Sequence, residues 1–189
     1  MSSLTDISHI RGLHIALAYA TAHNFVGRAV YAPEARAVLR PEAVDCLASA
    51  VQAARSCGLT MIVFDAYRPA AAQAVFWQAL SDPRYVADAR QGSNHTRGVA
   101  IDVGLIGADG RPLDMGTGFD AMCEQSHHGR SDLPAAVQRN RHLLLGIMLH
   151  AGFRTIPTEW WHYELPDCAQ YDFIPEDDAV KTIADLETR

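Results

Sequence analysis

The sequence lacks the features that mark several large classes of protein. Its 16 Lys and Arg residues form no cluster and are outnumbered by 22 Asp and Glu residues, which gives a net charge of −6. Nucleic acids and anionic membranes are therefore poor candidate partners. No apolar run approaches the ~20 residues that span a bilayer, and residues 1–12 have neither the basic start nor the long apolar stretch of a signal peptide. We therefore expect a cytoplasmic protein that binds neither nucleic acid nor membrane.

Cysteine is scarce as well. The four cysteines, at positions 46, 57, 123 and 168, form no C-x-x-C pair, which argues against a metal site built from thiolates. Reduced cysteines with structural roles are the expectation for a cytoplasmic protein, although the spacing leaves room for one disulfide.

Length and apolar patterning predict the fold class. The chain has 189 residues, of which 49% are hydrophobic and 20% are charged, so we expect a single domain over residues 1–189. Apolar spacing, alanine content and helix-start prolines predict helices at 41–57, 69–80 and 134–150. Apolar runs predict strands at 13–19, 59–64, 99–106 and 159–165, with a hairpin turn at 108–110. This mixture predicts an α+β fold with a central antiparallel sheet flanked by helices, followed beyond Pro166 by a loosely packed tail.

Two short segments carry groups that can bind a metal ion. Residues 93–102 read SNHTRGVAID, and residues 159–162 read EWWH. Two His and one Asp form a three-ligand set that leaves one position of a tetrahedral Zn²⁺ open for water, and a nearby Glu can take a proton from that water. The segments thus predict a zinc hydrolase with His95, Asp102 and His162 as ligands and Glu159 as the general base.

The spacing of these residues sets two geometric conditions. A straight strand would place His95 and Asp102 ~23 Å apart, so the chain must turn between them, and Gly98 permits the positive φ of such a turn. On a regular strand Glu159 and His162 would point to opposite faces, so we expect a bulge or a loop near Thr158.

The two segments match the pattern S-x-H-x-x-G-x-A-x-D followed by E-x-x-H, and the chain resembles the zinc D-alanyl-D-alanine dipeptidases associated with vancomycin resistance. That family shares a superfamily with DD-carboxypeptidases, lysostaphin-type peptidases and the hedgehog signalling domain. The likeness extends from about Leu13 to Leu165, through segments 19–27, 65–69, 115–120 and 124–128.

The resemblance implies a hedgehog/DD-peptidase-like fold, one Zn²⁺ per chain and hydrolysis of the small dipeptide D-Ala-D-Ala. It implies that His95, Asp102 and His162 bind zinc and that Glu159 is the base. Arg68 would stabilise the transition state, Tyr19 and Ser93 would contact substrate, and Asp120 would lie near the substrate ammonium. Two structural alternatives stay open at this point: Arg68 as a surface salt-bridge residue and Asp120 as a turn or helix cap.

Single residues of these kinds more often have structural roles. Lone histidines are commonly core or surface residues, and His127 and His128 fit a structural or rim position better than a metal site. Two other hypotheses are alternatives to the dipeptidase: a peptidoglycan carboxypeptidase or endopeptidase with an open groove, and a zinc-stabilised binding module without catalytic activity. Glu159 and Arg68 together argue against the module, because a structural zinc needs neither. The sequence leaves the oligomeric state open.

Overall fold

The computed structural model describes residues 4–175, which form two sheets and three helices. The strands are β1 (Thr5–Asp6), β2 (Leu13–Ile15), β3 (Val38–Leu39), β4 (Thr60–Asp65), β5 (Ala100–Ile106), β6 (Arg154–Thr155) and β7 (His162–Glu164). Strands β1 and β3 form a small ribbon, while the main sheet has the order β2-β4-β5-β7-β6. The predicted α+β class is confirmed.

The main sheet is mixed rather than purely antiparallel. Strand β2 pairs with β4 in parallel, whereas the β4–β5, β5–β7 and β6–β7 pairs are antiparallel. The chain between β2 and β4 contains a helix, and a crossover of this kind returns the second strand in the direction of the first.

The three helices lie within one or two residues of their predicted positions: α1 (Pro41–Ser56), α2 (Ala70–Ala79) and α3 (Ala135–His150). Helix α1 has Pro41 in its first turn, as expected for a residue without a backbone N–H. Helices α1 and α3 share one core cluster with the sheet, including Leu47, Val51, Leu144, Met148, Val63, Ile101 and Val103. None of the helices within residues 4–175 has both the length and the apolar character needed to cross a membrane.

The face of the sheet away from α1 and α3 carries the polar residues. Along β5, Ile101 and Val103 belong to the helix-covered core, so Asp102 between them points to the opposite face. Asp102 pairs in register with His162 of β7 on one side and with Asp65 of β4 on the other. The register shifts between Val63 and Asp65, and this bulge brings Asp65 level with Asp102.

Two strand predictions need correction at their ends. The first strand stops at Ile15, and Tyr19 lies instead in a short 3₁₀ turn, Ala18–Ala20. The last strand begins only at His162, so Glu159 lies in the loop that precedes it. The irregular backbone before His162 agrees with the bulge or loop near Thr158 that the spacing of Glu159 and His162 predicts. The hairpin turn at 108–110 is present, with the Leu113 amide donating to the Leu105 carbonyl at 2.8 Å.

The prediction of a loose tail directly after Pro166 is wrong for residues 167–175. A 3₁₀ turn at Cys168–Gln170 is followed by Ile174, which is only 2% exposed. The Arg40 and Arg97 guanidinium groups donate to the carbonyls of Asp172 and Tyr171, which ties this segment to the rest of the molecule. Residues 176–189, which the prediction also covered, lie outside the described part of the chain. All four cysteines are free.

Candidate active site

A pocket of about 250 Å³ opens on the polar face of the sheet. Its lining includes all eight residues singled out from the sequence: Tyr19, Arg68, Ser93, His95, Asp102, Asp120, Glu159 and His162. His127 and His128 lie elsewhere. The Nε2 atom of His127 is 3.1 Å from the Tyr85 hydroxyl, and that of His128 is 2.6 Å from the Thr155 hydroxyl.

His95, Asp102 and His162 form the one group of three or more possible metal-binding side chains within residues 4–175. His162 Nδ1 lies 3.0 Å from Asp102 Oδ1, and His95 Nε2 lies 3.2 Å from His162 Nδ1 and 3.4 Å from Asp102 Oδ1. In a tetrahedral site with bonds of about 2.0–2.1 Å, ligand atoms are about 3.3 Å apart. The three donor atoms are therefore spaced to bind one ion.

The outer nitrogen of each histidine has an acceptor. His95 Nδ1 is 2.7 Å from the Ala66 carbonyl oxygen, and His162 Nε2 is 3.2 Å from Glu164 Oε2. An acceptor at that position holds the ring proton on the outer nitrogen and leaves a lone pair on the inner one. Both rings thus present a lone pair to the centre of the site, which fits a divalent metal ion.

The turn between His95 and Asp102 occurs where the sequence predicts it. Gly98 has φ +72°, and its amide donates to the His95 carbonyl at 2.9 Å. A Cβ atom at this position would lie 2.8 Å from Leu4 Cδ2, so glycine also permits close packing. The turn folds the segment that carries Ser93 and His95 back over the sheet.

Arg68 is a buried residue, 8% exposed, and not a surface salt-bridge residue. Its Nε and Nη2 atoms donate to Asp65 Oδ2 at 2.9 and 2.8 Å, and Nη1 donates to Gln73 Oε1 at 2.9 Å. Its guanidinium lies over the Phe76 ring, 4.7 Å from the centroid. Burial alone would lower the pKa of Arg68. The adjacent Asp65 carboxylate and the other nearby acidic groups together have a larger, opposite effect, so the pKa of Arg68 is well above its usual value. A fixed positive charge therefore borders the pocket.

Glu159 is 5% exposed, and among the described residues its Oε1 atom has no hydrogen-bond partner. Burial raises the pKa of Glu159 to about 8, and the nearby Asp102 carboxylate contributes to this rise. A carboxylate that binds a proton near neutral pH is suited to proton transfer.

Asp120 is held by residues far away in the chain. The Tyr19 hydroxyl donates to Oδ1 at 2.7 Å, and the Phe25 amide donates to Oδ2 at 3.3 Å. Tyr19 and Phe25 are separated from Asp120 by 101 and 95 residues in the sequence, so the Asp120 side chain is not a local cap. The backbone of Asp120 has φ +63°, a conformation that is unfavourable for residues other than glycine and is enriched at functional sites. Burial raises the pKa of Asp120 to about 7.

Three supporting residues of this site were not predicted from the sequence: Asp65, Gln73 and Glu164. Asp65 accepts hydrogen bonds from Arg68 and, at 2.6 Å, from the Tyr31 hydroxyl. Its signal was a charged residue directly after the apolar run 59–64. Glu164 follows His162 by two residues, a spacing that places both on one face of a strand.

Comparison with known proteins agrees with this geometry. A family model described as D-ala-D-ala dipeptidase matches residues 3–180. The chain is 48% identical over 176 residues to the D-alanyl-D-alanine dipeptidase of Escherichia coli, an alignment that covers 93% of this chain and 91% of the relative. It is 33% identical over 187 residues to the D-alanyl-D-alanine dipeptidase of Enterococcus faecium, with coverage of 87% and 90%. The corresponding Enterococcus faecalis protein is 33% identical over 178 residues, with coverage of 84% and 88%. The resemblance seen in the sequence is therefore confirmed: the chain belongs to the D-Ala-D-Ala dipeptidase family, a metallopeptidase family, and is a peptidase.

Proposed function

We propose that the protein is a zinc-dependent dipeptidase that hydrolyses D-Ala-D-Ala to two D-alanines, the substrate for which its relatives are named. The observation that carries the proposal is the composition of one small pocket. It combines the His95, Asp102 and His162 donor set with the charged guanidinium of Arg68 and the carboxylate of Glu159, whose Oε1 atom has no hydrogen-bond partner within residues 4–175.

The metal-binding donor set and Glu159 have separate roles in the attack of water on the peptide carbonyl. A Zn²⁺ ion held by His95, Asp102 and His162 would supply Lewis acidity, which lowers the pKa of water and polarises a carbonyl group. Glu159 takes the proton from the attacking water and later delivers it to the leaving amine. Its raised pKa favours the protonated intermediate form between these two transfers.

Arg68 stabilises the negative charge that develops on the carbonyl oxygen. Asp65 and Gln73 hold the guanidinium in place before substrate arrives, so little reorganisation is needed during the reaction. Because an arginine keeps its charge at all working pH values, this contribution does not depend on protonation.

The remaining pocket residues match the two charged ends of a free dipeptide. A buried ammonium group needs an anion, and Asp120, oriented by the Tyr19 hydroxyl, provides one. Ser93 and Arg68 are the donors for the substrate carboxylate. With both ends bound inside a pocket of about 250 Å³, longer peptides are excluded.

Neither alternative accounts for the pocket as well. A carboxypeptidase or endopeptidase acting on peptidoglycan would need a long open groove in place of a pocket of about 250 Å³. A binding module stabilised by zinc would need neither the buried Glu159 nor the fixed Arg68. The cytoplasmic location, the single domain over residues 1–189 and a role in glycopeptide resistance stay predictions, and scavenging of D-alanine would use the same chemistry.

An assay of the purified protein with three substrates tests the proposal. We expect rapid hydrolysis of D-Ala-D-Ala, little hydrolysis of L-Ala-L-Ala or N-acetyl-D-Ala-D-Ala, and loss of activity after chelation that Zn²⁺ restores. Equal cleavage of the free and acetylated D-dipeptides would favour the carboxypeptidase. Absence of turnover by the zinc-loaded protein would favour the binding module.

A further inference from the structure

Glu164 is a buried carboxylate that the proposed mechanism does not use. It is 4% exposed and lies on β7, two residues after His162. Its Oε1 atom accepts hydrogen bonds from Arg154 Nε at 2.9 Å and Nη2 at 2.6 Å. Its Oε2 atom accepts from Asn94 Nδ2 at 2.7 Å and faces His162 Nε2 at 3.2 Å. Both oxygens therefore have partners on other parts of the site.

These partners link the two segments that supply the histidine donors. Asn94 lies between Ser93 and His95 in the turn that folds over the sheet, while His162 lies on β7. A single oxygen of Glu164 thus contacts both segments. Arg154 lies on the edge strand β6, directly opposite Glu164 in the β6–β7 register.

We propose that Glu164 is a positioning residue for the metal site. Its carboxylate holds the His162 ring with the proton on Nε2 and the lone pair on Nδ1. Through its hydrogen bond with Asn94 it also keeps His95 Nε2 close to His162 Nδ1. The site is therefore organised before a metal ion binds. This inference rests on the proposed zinc site but not on the proposed substrate.

The arrangement explains why the carboxylate is tolerated in a buried position. The Arg154 guanidinium donates two charge-assisted hydrogen bonds that satisfy the Glu164 Oε1 atom within the protein. A carboxylate is a strong acceptor for an imidazole N–H, and it favours a ring proton on the nitrogen that faces it. Loss of such an outer partner typically weakens metal binding by about 10–100-fold.

The inference is tested by the Zn²⁺ affinity of Glu164→Gln and Glu164→Ala, measured in competition with a chromophoric chelator and without substrate. We expect Glu164→Ala to bind Zn²⁺ about 10–100-fold more weakly and Glu164→Gln to show a smaller loss, because its amide oxygen still accepts a hydrogen bond. Asn94→Ala, which leaves the Glu164–His162 contact in place, should lose less affinity than Glu164→Ala. Glu124→Ala is the matched control, since Glu124 is exposed and does not line the pocket, and it should bind Zn²⁺ as the unmodified protein does.

Two further measurements separate positioning from a general structural role. In the Zn²⁺-loaded protein, the ¹H and ¹⁵N signals of the His162 ring should report an Nε2–H proton held in a hydrogen bond, and in Glu164→Ala an Nε2–H proton that exchanges with solvent faster. Thermal unfolding followed by circular dichroism shows whether each variant is folded, and the isosteric Glu164→Gln decides the matter if Glu164→Ala does not fold. Unchanged Zn²⁺ affinity in a folded Glu164→Gln together with an unchanged His162 Nε2–H signal would overturn the inference, as would lower stability with unchanged affinity. Failure to hydrolyse D-Ala-D-Ala would affect the proposed function alone.

Discussion

Burial and charge at Glu159 are balanced so that one side chain can both accept and release a proton. Its surroundings disfavour the carboxylate, since the group is buried, lies near Asp102 and has no described donor to Oε1. In a purely structural position this would be a defect of the fold. In a pocket with a metal-binding set and a fixed guanidinium, it is what proton transfer requires.

Replacement of Glu159 by glutamine should therefore abolish turnover while leaving the metal site intact. The substituted side chain keeps the size of the original but cannot accept a proton. We expect kcat for D-Ala-D-Ala to fall by more than the ~10²–10⁴ typical of acid–base loss, because one group serves both proton transfers. Steady-state kinetics and metal analysis check this, with the exposed Glu124→Gln as control. Near-normal turnover in Glu159→Gln would exclude Glu159 as the base.

The metal assignment predicts different outcomes for two histidine variants. His162→Ala removes one of the three clustered donors and should lose most of the bound zinc. His127→Ala removes a ring that contacts Tyr85 outside the cluster and should keep the zinc. Elemental analysis of both purified proteins decides the question, and full zinc occupancy in His162→Ala would contradict the ligand set.

The proposed role of Asp120 is to set the preference for a free substrate amine. Because the Asp120 carboxylate would balance the charge of the buried substrate ammonium, Asp120→Ala should lower kcat/KM for D-Ala-D-Ala. The ratio of this kcat/KM to that for the N-acetylated form should fall as well. Kinetics with both substrates measure the two effects. An unchanged ratio of the two kcat/KM values would place the substrate ammonium elsewhere in the pocket.

At the scale of secondary-structure elements, the site depends on how one turn and three strands fit together. Strands β4, β5 and β7 place Asp65, Asp102 and His162 in a row, and the turn at Gly98 brings His95 onto that row. The strands are supported by the core, but the turn relies on a positive φ and close packing against Leu4.

Gly98→Ala should for this reason affect both stability and metal binding. The new methyl group would meet Leu4 at 2.8 Å in an unfavourable backbone conformation, and we expect a loss of about 1–3 kcal/mol in the free energy of unfolding together with weaker Zn²⁺ binding. Gly110→Ala is a suitable control, because Gly110 has a similar φ of +77° but no atom within 4 Å of the added Cβ. Its Zn²⁺ affinity should not change. Equal Zn²⁺ affinities for the two variants would show that the turn does not position His95.

At the scale of the whole molecule, Glu159 lowers the stability of the metal-free protein at neutral and alkaline pH. The pKa of Glu159 is raised from 4.5 to about 8 by folding, so the folded state binds this proton more tightly than the unfolded state does. The stability contributed by this group is complete below pH 4.5 and is lost as the pH rises through 8.

Metal-free Glu159→Gln should therefore be more stable than the unmodified protein at high pH. The difference in unfolding free energy should be small near pH 4 and grow to a few kcal/mol by pH 9, at ~1.4 kcal/mol for each unit of pKa shift. Urea unfolding of both proteins at several pH values measures it, and Glu124→Gln should show no such trend. A difference that does not vary with pH would contradict the raised pKa.

The sequence by itself determined the main helices and strands and the candidate residues of the site. The periodicity and prolines of α1 and α3 place these helices to within two residues, because their signals are local. The identity of the donors is also local information: two His, one Asp and a Glu at this spacing indicate a metal hydrolase whatever the details of the fold. Gly98 as the turning point followed from backbone sterics alone.

Only the tertiary structure decided which partners hold these groups. The row of Asp65, Asp102 and His162 depends on strand register and on a bulge in β4, and register is a property of paired strands that are distant in the chain. The bonds from Tyr19 and Phe25 to Asp120, and from Arg154 to Glu164, likewise join separate segments. A residue's type and its neighbours in sequence set what it can do, whereas its pKa and orientation are set by groups that only folding brings near.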